Sequence, residues 1–132
     1  MLQGGSLILQ KWLRPVLCAL ALCLSAMAPA SATPSSSEDK LIQGLIHRVE
    51  NHREMVFLRN GEEHSAADAA KHMRDKYDYF REEIVTAEDF IRLCATRSEV
   101  TKAAYKIKLR ADGAVRHASD FLHEELKTLR QR

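Results

Sequence analysis

The chain has 132 residues, with 20 Lys or Arg, 18 Asp or Glu and six His, for a formal net charge of +2. Only Lys11 and Arg14 carry charge before residue 33, so residues 33–132 balance to zero with the histidines neutral. That balance argues against bulk nucleic-acid binding, which needs a net basic footprint.

The chain opens "MLQGGSLILQKWLRPVLCALALCLSAMAPASA". A basic start, an apolar run over residues 16–27 and an Ala30-Ser31-Ala32 end have the order of a secretory signal peptide. The run has 12 residues, whereas a spanning helix needs about 20, so an uncleaved anchor is disfavoured. Cys18 and Cys23 each follow a leucine rather than a small residue, so no lipid anchor is expected. The expected organisation is a signal peptide over 1–32 with cleavage after Ala32, a flexible linker over 33–39 and one domain over 40–131. The mature chain of 100 residues suits a single core, burying about 65% of its unfolded surface. Only Cys94 survives cleavage, so no internal disulfide forms, and a lone thiol is either buried or free to pair between chains.

Leu41, Ile42, Leu45, Ile46 and Val49 share one face of a first helix. Ser37 is its expected N-cap, and Glu38 and Asp39 suit the positive end of its dipole. Gly44 permits a close approach by a neighbour. "MVFLR" then favours a strand, and Asn60-Gly61 is the strongest two-residue hairpin signal. That turn places Arg59 opposite Glu62 and Phe57 opposite His64. Ser65-x-x-Asp68 caps a second helix whose stripe is Ala69, Met73, Tyr77, Phe80 and Ile84. The polar cluster in "FLRNGEEHSAADAAKHM" thus reads as folding instructions rather than as a Ser-His-Asp site.

Thr86-x-x-Asp89 caps a short helix with Phe90, Leu93 and Cys94 on one face. "YKIKLRADGAVRH" alternates, with Tyr105, Ile107 and Leu109 inward and Lys106, Lys108 and Arg110 outward. A three-residue Ala111-Asp112-Gly113 loop is expected, pairing Leu109 with Val115 and Ile107 with His117. It would turn His117 towards the apolar face and set Lys108 opposite Arg116. A last helix, capped by Ser119, carries Leu122, Leu126 and Leu129. The predicted fold is a small single α+β domain, two β-hairpins in an antiparallel sheet packed with about four helices on one face.

"FLRNGEEHSAADAAKHMRDKY", "TAEDFIRLCATRS" and the strand beginning at Tyr105 resemble the YfeK-like proteins, small exported bacterial proteins with no established function. The resemblance spans about residues 41–126 and departs at Thr101-Lys102, where a Ser-Gly-like step is expected. It implies export to the bacterial cell envelope and supplies no catalytic residues.

Charge is unevenly spread. Six Lys or Arg against two acids lie over residues 97–117, whereas acids exceed bases over 33–96. Lys106, Lys108, Arg110 and Arg116 on one hairpin face would form an anion- or partner-binding strip for an envelope protein or an anionic envelope component. An ordinary solvated face, guarded by charge against edge pairing, accounts for the same residues. Cys94 is a candidate redox thiol because Arg97 is near in sequence. No H-x-x-x-H or C-x-x-C pair occurs, so neither a metal nor another cofactor is expected. The principal expectation is a non-enzymatic periplasmic or secreted binding module. The alternative is a small hydrolase or metal-dependent enzyme, which requires at least three of His64, Asp68, His72, Cys94 and His117 to meet in one pocket.

Overall fold

The computed structural model of the protein describes residues 32–132. The expected signal peptide, apart from Ala32, lies outside these residues. Helix α1 (Ser36–Asn51) is capped by Ser35, whose Oγ accepts from the Glu38 amide. The cap is therefore Ser35 rather than Ser37, and the expected linker is helical from Ser36 onward. Two contacts hold this first turn down. Asp39 accepts from the Tyr77 hydroxyl at 2.7 Å, and Glu38 accepts from the Ala87 amide at 2.7 Å. Ile42, Leu45, Ile46 and Val49 face the core as their spacing requires.

Strands β1 (Met55–Arg59) and β2 (Glu62–His64) form the first hairpin. Asn60 (φ 53°) and Gly61 (φ 79°) supply the two left-handed positions that a type I′ turn needs. Phe57 pairs with His64 and Arg59 with Glu62, the register expected from the turn. Ser65 caps α2 (Ala66–Phe80), accepting from the Asp68 amide. One turn of 3₁₀ helix, Arg81–Glu83, carries the chain to Ile84, which is fully buried. Thr86 and Asp89 form a reciprocal capping box at α3 (Ala87–Cys94). Phe90 is wholly enclosed, and Tyr77 meets it edge-on at 5.7 Å. Burial of that ring contributes about 2–3 kcal/mol.

Strands β3 (Lys106–Leu109) and β4 (Val115–His117) form the second hairpin and lead directly into α4 (Ala118–Arg130). The four strands make one antiparallel sheet in the order β2-β1-β3-β4, joined at its centre by Phe57 opposite Ile107. Both residues belong to the core that the four helices complete. Gly44 lets α4 approach α1, since a Cβ there would stand 3.2 Å from Leu129. The fold class is as expected.

The second hairpin departs from expectation by one residue. Lys108 pairs with Val115, Ile107 with Arg116 and Lys106 with His117. Residues 110–113 form a four-residue turn, closed by the Leu109 and Ala114 backbones at 3.0 Å. Asp112 accepts from the Ala114 amide, and Gly113 takes φ 70°. This local bonding adds the residue that the three-residue loop lacks. A one-residue slip reverses every side chain of β4. His117 is therefore exposed on the outer face and acts as the helix N-cap position in place of Ser119, without a side-chain cap bond. Arg116 turns to the helix side, where it donates to Glu124 of α4 at 2.7 Å. With Val115 as its lone large apolar residue, the edge strand β4 has little burial to oppose that choice.

The loop before β3 contains Lys102 at φ 60°, a conformation that glycine adopts without strain. This is the position at which the resemblance led us to expect glycine. Among the described residues, no helix is long and apolar enough to cross a membrane.

Candidate functional site

The inner face of the first hairpin carries Phe57, Arg59 and His64, by strand alternation and the Phe57–His64 pairing. On α2, Asp68 and His72, and Ala69 and Met73, are each four residues apart and so face the hairpin together. Cys94 and Ala95 at the end of α3 also line the space, as do Tyr105 and Ala118, whose amides donate to the Thr96 and Tyr105 carbonyls respectively. These residues line a cavity of about 40 Å³. An engineered cavity of about 150 Å³ binds benzene, so this one admits only a small group.

Four of the five residues nominated for an enzyme site therefore meet: His64, Asp68, His72 and Cys94. The expectation that they serve only the backbone is corrected to that extent; His117 stands apart. Their chemistry is nevertheless quiet. Cys94 is fully buried, and burial pushes its thiol up to about 12 despite the charge of Lys76. Enclosed in this way, Cys94 packs with the core and lacks the exposure that a reactive thiol needs. His72 is held down to about 4, first by burial and then by the charges of Arg59 and Lys76. Its neutral ring shares a 3.1 Å hydrogen bond with the Tyr105 hydroxyl and meets that ring edge-on at 5.8 Å. Burial raises the Tyr105 phenol, so this partner stays protonated. The Asp68 carboxylate accepts from Ser65 Oγ at 2.8 Å rather than from either histidine. No His–carboxylate hydrogen bond orients a base here, as a nucleophilic site would require. Among the described residues, no three His, Cys, Asp or Glu side chains are placed to hold a metal ion.

Two groups at the cavity are uncommitted. His64 Nε2 is buried without a hydrogen-bond partner, and the Glu62 carboxylate stays 4.0 Å away. Arg59 lies opposite Glu62 in register but forms no ion pair with any described residue. Sequence reasoning assigned Arg59 to a cross-strand pair and so missed it.

A wider groove of about 610 Å³ adjoins the cavity and shares Arg59, His72 and Tyr105 with it. Lys76 lines the groove, donating to the Arg97 carbonyl at 3.1 Å with Glu99 at 3.7 Å. Its position beside Met73, Tyr77 and Phe80 on the apolar flank of α2 was the available sign that it is buried. Tyr79, 81% exposed, stands on the rim.

The four cations nominated on the second hairpin do not share a face. Lys106 and Lys108 lie on the outer face, and Arg110 lies in the turn. Arg116 lies inside, so the expected Lys108–Arg116 repulsion does not arise. Lys108 pairs instead with Glu63 of β2, holding that carboxyl below its usual range.

The family of unknown function DUF5329 matches residues 36–130 of the chain. Over 93 residues the chain is 30% identical to the uncharacterized protein YfeK of Salmonella typhimurium, covering 70% of this chain and 77% of that protein. No solved structure matches.

Proposed function

We propose that this chain, which belongs to DUF5329, a family of unknown function, is an exported cell-envelope protein that acts by binding an anionic envelope component or an acidic partner. Export is read from the signal-like order of the first 32 residues. Binding rather than catalysis is favoured by the protonated Cys94, the neutral His72 and the missing His–carboxylate pair. The observation that carries the reading is the outer face of the sheet. The described helices pack on the opposite face, and neither Lys106 nor Arg110 has an ion-pair partner among the described residues. The cations in question are Lys106 and Lys108 on the outer face, the latter paired with Glu63, and Arg110 at the adjoining turn, with Arg116 removed by the register of β4.

Co-sedimentation of the protein with anionic and zwitterionic phospholipid vesicles, and with envelope extracts, tests this reading. The triple variant Lys106→Gln/Lys108→Gln/Arg110→Gln should lose several-fold in retention on anionic material, and added salt should do the same to the wild type. Equal retention by a folded triple variant would refute it. An N-terminal sequence beginning at Thr33 in the accumulated protein is the expected mark of export.

A further inference from the structure

Two residues that line the cavity beside the first hairpin, Arg59 and His64, carry polar groups without a described partner. The cavity lining is largely apolar, with Phe57, Ala69, Met73 and Ala118, and is bordered also by Asp68, His72 and Lys106. The buried His64 Nε2 finds no partner there, although buried polar atoms are rarely left unpaired. Arg59, its diagonal neighbour across the strands, presents a guanidinium without a carboxylate. A guanidinium's fork of donors matches a carboxylate. Tyr105 also lines the cavity, with its hydroxyl engaged by His72 at 3.1 Å.

We propose that this cavity is a binding site for a short-chain monocarboxylate, its carboxylate held by Arg59 and His64 Nε2 and its apolar end among Phe57, Ala69 and Met73. His64 donates in the tautomer that carries its proton on Nε2. Scaling from the benzene-sized cavity, at about 25 Å³ per carbon, 40 Å³ takes on the order of one or two carbons beyond the carboxylate. Propionate fits; from the last methyl of butyrate onward, a longer chain projects into the groove. Two acids stand nearby. Asp68 is occupied by Ser65, and Glu62, 80% exposed at its side chain, has solvent to turn into when an anion arrives. Lys106 of the outer strip also borders this cavity, so the two readings are separated by their assays: vesicle retention reports the strip, and the cavity resonances report this site.

The test is a nitrogen-resolved NMR titration of the protein, in the form its host accumulates, with acetate, propionate, butyrate, hexanoate, 1-butanol and inorganic phosphate. Propionate or butyrate should shift the Ala69, Cys94 and Ala118 amides and the His64 Nε2 resonance saturably, with a Kd on the order of 1 mM. Acetate and hexanoate should bind more weakly, and butanol and phosphate should leave these signals in place. Arg59→Gln should weaken butyrate at least tenfold. Ala69→Val, which fills the cavity, should abolish the shifts in a folded protein. If that variant does not fold, the Arg59→Gln titration decides. Butyrate that leaves the cavity resonances unmoved, binds Arg59→Gln as tightly, or is matched by butanol would overturn the proposal.

Discussion

His72 should make the protein acid-sensitive well above the range in which carboxylates titrate. Its ring is partly buried between Arg59, Lys76 and Tyr105, with Asp75 favouring the charged form and His64 a further opponent. In the fold it titrates near 4, against an ordinary value of 6.5. The unfolded chain therefore binds the proton more tightly. Stability is fully present above pH 6.5 and is lost as pH falls from 6.5 through 4. Linkage gives a loss of about 1.5 kcal/mol between pH 6.5 and 5, and about 3 kcal/mol over the whole window before allowance for solvent screening. Urea unfolding at half-unit pH steps measures it. In His72→Gln, which cannot take up the proton, the slope between pH 6.5 and 5 should flatten by about 1 kcal/mol or more. The carboxylates held low by their partners, among them Glu88 and Asp89, act mainly below that interval. Parallel pH profiles for the wild type and His72→Gln would refute the argument that burial beside two cations keeps this ring neutral.

Lys102→Gly should stabilise the fold by about 0.5 kcal/mol, because relief of left-handed strain exceeds the added freedom of the unfolded chain and the loss of the exposed pair with Glu99. Equal or lower urea midpoints for the variant would contradict this. Cys94 should resist maleimide labelling in the native protein and react at once in denaturant, and no disulfide-linked dimer should form, since its thiol is enclosed and held near 12. Rapid native labelling would show that α3 opens.

The parts of the fold written in local chemistry were legible in the chain. Asn60-Gly61 defines a turn whose two positive φ values few other pairs tolerate, and the pairing of Phe57 with His64 follows from it. Thr86 and Asp89 announce α3 in the same way. The register of β4 was not legible. The expected three-residue loop and the four-residue turn over residues 110–113 both contain Asp112-Gly113, and the difference rests on the Asp112 bond to the Ala114 amide and on where α4 must enter the core. Alternation on β3 located Lys106 and Lys108 correctly, but Arg116 was placed through the wrong loop and so on the wrong face.

The cavity was illegible for a different reason. Ser65, Asp68 and Asn60 do shape the backbone, as their spacing indicates. A hairpin that passes straight into a helix, however, folds its last inward strand residue against the helix's first inward turn. His64 and Asp68 are those residues, and His72 follows one turn later. Residues chosen to make the bend therefore border the space inside it. Directing the chain and lining a site are not competing roles at such a corner. What distinguishes them is the bonding of each polar atom. Asp68 is accounted for by Ser65, and His72 by Tyr105. His64 Nε2 and Arg59 are not accounted for by any described partner, and that difference, invisible in spacing, separates the scaffold of this corner from its chemistry.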